Sequence, residues 1–580
     1  MLVVNGRLRT DLASAKAESE AQATPDAAHA PPSDTGPASA GAALLPMSNQ
    51  AGDGADPRLW SNPDLLEAVV GLLPPNEVAA SVRLTCKAAA ARFSAPHHTT
   101  VRLWEPVPRA EFARRWCATG ALRSLARAQR TRLLCLVARS GDVENLEAAV
   151  AVVGCALSAE VLKAAASAGR VEACRWLLQR DCPGQAQALE AAAEAGQEAL
   201  LDLLTYNDEY LALRLAVPYA AARGGHVGLM ERLLAAAGLD ARSEPAPLGL
   251  LAAAAHGCDL PTLQRLHGGA PRRDDGLFAE VRDPVLQAAA GSPTRCWRAK
   301  VEWLEEWGHR PDAETAILAG VRPDAAERLL WLRQRGWPLG AAGYEAARVG
   351  NEAALRIVLE AGVGLGETAA TYAARNGHLC CLRALVEHDR PLPADLLRSA
   401  AEGGRLPVLE WAAGLAAGQA AWMALGSMSV MNAAVRSGRL EVMAWLRQQA
   451  GGCLCGQAVV EAADRGSEAV LRWLLAEGCP MPETGEPYIR AASYGDLATL
   501  LVLRELGVPW AANGQTFTDA VLLKRCDVPA LEALLQLGCP VHWPGVVDAA
   551  RSWLLTDAVS EWLGQQEEQH QGGGGPRAGA

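Results

Sequence analysis

Eleven times in this chain an Ala-rich run ends in glycine and gives way to a Leu-rich amphipathic stretch. The glycines are Gly141, Gly169, Gly196, Gly225, Gly257, Gly350, Gly377, Gly404, Gly438, Gly466 and Gly495. Weaker frames at Gly291 and Gly320 bridge the longest gap, and two frames without glycine follow near Lys524 and Leu554. The 580 residues thus hold about fifteen copies at steps of 27 to 34 residues. A unit this short cannot enclose a core of its own and buries its apolar face only against the copies beside it. The expected fold is an all-α helical solenoid, whose length measures surface presented rather than a number of cores.

The copy at 161–183 shows the logic. Val161 to Ala166 form a short helix whose alanines let neighbouring helices approach, and Gly169 supplies the left-handed backbone that ends it. The helix after it turns Leu177 and Leu178 inward, as Leu203-Leu204, Leu233-Leu234, Leu474-Leu475 and Leu534-Leu535 do in other copies. A turn through Asp181-Cys182-Pro183 closes the unit, and Cys479, Cys539, Trp337 and Val508 recur at the Cys182 position. That exchange marks a small apolar packing site rather than a ligand. Trp176, Trp303, Trp331, Trp411, Trp445, Trp473 and Trp562 fall at or next to one position of the second helix, where packing between copies is expected.

Composition narrows the function classes. The net charge is −11 and no basic stripe is present, so no nucleic-acid partner is expected. No apolar run approaches the 18 to 20 residues of a membrane span, and no membrane insertion is expected. The first residues lack a secretory apolar region and carry Asp11, Glu18, Glu20 and Asp26, which points to the cytoplasm or the nucleus. Cys453-x-Cys455 and Cys380-Cys381 lack a second pair at zinc-site spacing, so no metal and no cofactor are expected. His226 and His378 follow frame glycines, where Arg170, Arg405 and Arg439 stand in other copies, so they are repeat positions rather than a catalytic dyad. Without Gly-x-Ser-x-Gly, a P-loop or His-Glu-x-x-His, the chain is read as not an enzyme.

The organisation read from these patterns is a disordered stretch over 1–57, with Met47 a second candidate start, and a compact non-repeating unit over 58–100. A helical linker or cap over 101–132, the array over 133–563 and a flexible tail over 564–580 complete it. In the non-repeating unit, Asn62-Pro63-Asp64 opens a helix carrying Leu65, Leu66, Val69, Val70, Leu72 and Leu73. Pro74-Pro75 stops it, and Val78, Val82 and Leu84 with Cys86 give a second apolar face.

Blocks such as Ala373-Ala374-Arg375-Asn376-Gly377-His378-Leu379 and Ala433-Ala434-Val435-Arg436-Ser437-Gly438 resemble ankyrin repeats over about 133–563. The Thr-Pro-Leu-His tetrapeptide is missing and the copies are short, so the family's β-hairpin fingers should be short or absent. The resemblance implies a protein partner on a concave face made by the residues before each frame glycine: Arg139, Ser167, Glu194, Arg223, His256, Arg348, Arg375, Asn376, Glu402, Arg436, Asp464, Arg465 and Tyr494. Residues 58–100 resemble an F-box through Pro63-Asp64-Leu65-Leu66, Leu72-Leu73-Pro74-Pro75-Asn76-Glu77-Val78 and Arg83-Leu84-Thr85-Cys86-Lys87. Asn62 replaces the family's leucine, and the tryptophan usual after Cys-Lys is alanine. That resemblance implies a Skp-type adaptor bound through Pro63, Leu65, Leu66, Val69, Leu72, Leu73 and Val78, and a substrate receptor of a cullin ubiquitin ligase. An ankyrin scaffold without a ubiquitin link is the alternative. A sphingomyelin phosphodiesterase relation is a weak third, which no catalytic motif supports. The chain is expected to be a monomer outside its complex.

Overall fold

The computed structural model describes residues 3–4, 7–8, 63–118, 120–204, 213–238, 246–268, 283–415, 426–523, 526–551 and 555–572. Most of the stretch expected to be disordered at 1–57 lies outside these residues. Val3–Val4 and Arg7–Leu8, which are described, pair as two short antiparallel strands. From residue 63 onward the described residues form helices, turns and loops. None of these helices is long and apolar enough to cross a membrane. The chain divides into two compact units between Arg115 and Trp116.

In the first unit, helix α1 spans Pro63–Leu72, with Pro63 at its first position and Asp64 placed to favour the positive end of the helix dipole. Pro74 cannot continue it, and Pro75 at a new first position starts the next helical run, Pro75–Glu77, a wider π-helical turn Val78–Val82, and Arg83–Thr85. Helix α2, Lys87–Arg92, follows, with the Cys86 thiol accepting from the Ala89 amide at 3.4 Å. Leu66, Val70, Val78, Ala89 and Phe93 form the core, with Leu73, Val82 and Cys86 packed on it.

The expected boundary at residue 100 is moved by one buried side chain. The Asn76 amide nitrogen donates to the carbonyls of Arg102 (2.7 Å), Glu105 (3.2 Å) and Pro106 (3.0 Å), and its oxygen accepts from the Arg102 amide at 2.7 Å. Those bonds tie the segment after residue 100 to the first unit, and the chain divides only after Arg115. The remainder of the expected linker is shortened again at its far end, because the first helix of the second unit starts at Arg127.

Among the described residues the second unit shows fifteen helical pairs in chain order, from Arg127–Ser140 with Val143–Val153 to Trp543–Arg551 with Asp557–Gly572. The last helix runs to Gly572, through half of the tail expected from residue 564. In the ninth pair, Glu367–Asn376 buries Ala369, Ala370, Ala373 and Ala374, whereas Leu379–Glu387 buries Cys381, Leu382, Ala384 and Leu385. Gly377, at φ +85°, ends the first helix; its amide bonds the Ala374 carbonyl at 3.2 Å, and the His378 amide reaches back to Ala373 at 2.9 Å. This pair of bonds satisfies two carbonyls that a helix end otherwise leaves unmet. It recurs at Gly169, Gly196, Gly404, Gly466 and Gly495, always on two successive alanines.

The same alanines set the packing. Successive first helices lie against one another along their length, while successive second helices meet more sparsely. Small side chains line the contacts between first helices, and leucines fill the layer of second helices. A fully buried leucine contributes about 1.5–3 kcal/mol by transfer from water. One leucine of each expected inward couple is fully buried, Leu177, Leu204, Leu234, Leu474 and Leu534, and its partner is half-buried.

Candidate functional site

The residues expected on the concave face stand at or just past the C-terminal ends of the first helices. Arg139, Glu194, Arg223, Arg348, Arg375, Arg465 and Tyr494 are exposed; Ser167, His256, Asn376, Glu402, Arg436 and Asp464 are half-buried. Their backbone explains the residue after each frame glycine. The Arg170 Nε donates to the Arg139 carbonyl at 2.9 Å, and the Arg405 Nε donates to the Arg375 carbonyl at 3.2 Å. His378 Nε2 lies 3.1 Å from the Arg348 carbonyl. Each of these side chains crosses the frame glycine of the copy before it. A Cβ on Gly377 would stand 2.7 Å from Arg405 Cδ, and one on Gly350 only 2.3 Å from the His378 ring. Burial, followed by the Arg405 cation, holds the His378 imidazole below its ordinary pKa, opposed by the bond to Arg348.

Side chains in the row also pair across copies. Arg223 meets Glu194 at 3.3 Å, Arg375 meets Glu402 at 2.9 Å, and Arg436 meets Glu461 at 3.3 Å. Ser167 and Asn376 bond back to their own helices, at Ala164 and Tyr372. A second set of pairs links successive second helices: Arg180–Glu147 at 3.3 Å, Arg356–Glu387 at 2.8 Å, Arg447–Glu477 at 3.4 Å and Arg472–Glu505 at 3.0 Å. Exposed pairs of this kind contribute about 0–1 kcal/mol each, so they hold register more than stability. They also intersperse the two signs of charge along the array. The tryptophans of the second helices are half-buried, apart from buried Trp297 and Trp562. Arg180 lies over the Trp176 ring at 3.8 Å and Arg335 over Trp331 at 4.8 Å.

In the first unit the apolar residues expected to meet an adaptor divide into two groups. Leu66 is 9% exposed and Val78 1%, and both belong to the unit's own core; Leu73 packs against that core. They therefore support the surface rather than form it. Val69 is 46% exposed and Leu72 is 87% exposed, three residues apart on one face of α1. Leu84, 60% exposed, was not among the expected contacts. The side chains of Pro63 and Leu65 lie outside the described residues.

Three buried polar groups carried no sequence signal. Lys300, fully buried, donates from Nζ to the Ala255 carbonyl (2.9 Å), Ser292 Oγ (3.1 Å) and Thr294 Oγ1 (2.9 Å), and burial pushes its pKa down. Arg328 reaches the Ala290 carbonyl at 2.7 Å. Both serve copies whose glycine, Gly257 or Gly291, is not left-handed, so a cation from the following second helix meets a carbonyl of the helix end. His309 occupies the Cys182 position and pairs through Nδ1 with Asp283, whose other carboxylate oxygen caps Pro284–Ala290. These partners account for the three groups structurally.

Cys182, Cys479 and Cys539 are buried as the packing argument requires, and Cys182 and Cys479 donate to the Ser158 and Cys455 carbonyls at 3.6 and 3.2 Å. Burial pushes the Cys182 and Cys479 thiols up to about 11 and Cys539 to about 12. Among the described residues no three His, Cys, Asp or Glu side chains converge as metal ligands would. No protein-family model and no curated protein matches this chain.

Proposed function

We propose that this chain is a protein-interaction module: an ankyrin-type solenoid of about fifteen short repeats that holds a protein partner along its first-helix row. The small N-terminal unit, F-box-like in sequence, docks a Skp-type adaptor and so brings the held protein to a cullin-type ubiquitin ligase. The reading places it in the cytoplasm or nucleus, as a monomer outside its complex and without catalytic activity of its own. The observation that carries it is Leu72, 87% exposed beside Val69 on a helix whose core is complete without either. Val69 and Leu72 form an apolar face of this helix that its own core leaves uncovered, and a docked partner would remove it from water. The row of glycine-preceding residues supports the first half of the reading through its variation in charge and size against constant alanines.

The test is retention of a purified Skp-type adaptor by the full chain. Leu72→Asp should reduce retention tenfold or more while shifting stability by no more than about 0.5 kcal/mol, the usual range for surface substitutions. Leu66→Asp should instead unfold the N-terminal unit. A folded wild-type chain that retains no adaptor leaves the scaffold without a ubiquitin link as the reading.

A further inference from the structure

We infer that the array is clasped to itself, its first helical pair docking on the loops of its twelfth and thirteenth pairs. The twelfth pair is Gly456–Arg465 with Glu468–Ala476, and the thirteenth is Glu486–Ala492 with Leu497–Glu505. Arg130, on the first helix of the first pair, is 4% exposed, and Asp496 is wholly buried. The Arg130 guanidinium donates to both carboxylate oxygens of Asp496, at 2.9 and 2.7 Å, and to the Gly466 carbonyl at 3.3 Å. Its other terminal nitrogen donates to Val153, the last residue of its own pair, at 2.8 Å. Asp496 meanwhile caps Leu497–Glu505, accepting from the Thr499 amide at 3.1 Å and its hydroxyl at 2.9 Å. One carboxylate thus joins a local helix start to a residue 366 positions away.

The contact extends beyond the ion pair. The Ala498 amide donates to the Gly154 carbonyl at 3.2 Å, and a Cβ on Gly154 would stand 3.0 Å from that of Ala498. The Arg127 guanidinium lies 3.5 Å over the Tyr494 ring, and Arg123 lies 3.7 Å from Glu468. Backbone, aromatic and charged groups all contribute.

An open stack of repeats contacts only nearest neighbours, and a disturbance in one copy fades along the line. The clasp adds a bond between distant copies, so the first and thirteenth pairs open and close together. It also gives Arg127 and Tyr494 a structural role that competes with partner contact in that part of the row.

Amide hydrogen exchange of the folded full-length chain tests this. Stripping one partner from a buried ion pair costs about 3–5 kcal/mol, and 1.4 kcal/mol is tenfold. Arg130→Met should therefore speed exchange in Leu497–Glu505 by about a hundredfold to a few thousandfold. Acceleration confined to residues 127–178, with 486–505 unchanged, overturns the clasp. If Arg130→Met does not fold, Ala498→Trp decides, because it wedges the seam without touching the ion pair. Faster exchange in Arg127–Ser140 is then expected, and unchanged exchange there overturns the inference.

Discussion

Replacing Gly377 by alanine separates the two demands on a frame glycine. Its φ of +85° suits glycine, and an alanine held there costs about 1–2 kcal/mol. The new Cβ would also meet Arg405 Cδ at 2.7 Å and Nε at 3.1 Å. Moving Arg405 aside breaks its 3.2 Å bond to the Arg375 carbonyl, a further loss of about 0.5–1.5 kcal/mol. The sum is about 1.5–3.5 kcal/mol, and two controls apportion it. Gly362 is also left-handed, at φ +75°, but nothing lies within 4 Å of its Cβ position, so Gly362→Ala should carry the backbone cost alone. Gly414, inside Leu406–Leu415, has neither constraint, and Gly414→Ala should be neutral or stabilise by up to about 1 kcal/mol. Amide exchange of the helix next to each glycine reads the local effect without assuming two-state unfolding of so long a chain. If Gly377→Ala costs no more than Gly362→Ala, the crossing side chain does not join the copies as described.

The buried thiols and the buried lysine predict opposite pH dependences. Iodoacetamide at pH 8 should label exposed Cys380 and Cys453 in the folded chain and spare Cys182, Cys479 and Cys539, until denaturant exposes them; equal labelling would contradict their burial. Because their folded pKa values lie above the ordinary 9.0, the unfolded chain loses those protons first, and their contribution falls as pH rises from 9.0 toward about 11. For Lys300 the folded pKa lies below the ordinary 10.5, so the unfolded chain holds the proton longer and its contribution rises with pH up to 10.5. Lys300→Met leaves the Ala255 carbonyl unmet, a loss of about 1–3 kcal/mol at neutral pH. The gap between wild type and this variant should widen as pH approaches 10.5, and a gap that narrows would refute the assignment.

The helical pairs were legible because alanine, glycine and leucine each do a separable local job in them. Alanine thins the first helix, glycine ends it, and leucine fills the second layer. Even where the glycine fails, at Lys524 and Leu554, the pairs Gln515–Leu522 with Val528–Gln536 and Trp543–Arg551 with Asp557–Gly572 keep the spacing. What periodicity could not show is which partner a polar group finds. Asn76 holds residues 102–106, Lys300 holds Ala255, and Arg130 holds Asp496, all through contacts that sequence spacing does not encode. The N-terminal unit was ambiguous for a related reason. Its apolar residues follow one another closely, so Leu66 and Leu72 look alike in sequence although one faces the core and the other water.

The most direct test of the account is an amide-exchange footprint of a purified Skp-type adaptor on the full-length chain. The proposed function predicts protection centred on Pro63–Leu72 and Arg83–Thr85, which carry Val69, Leu72 and Leu84, with the described helical pairs of the second unit unchanged. Protection on the array alone, or none anywhere at saturating adaptor, would contradict it.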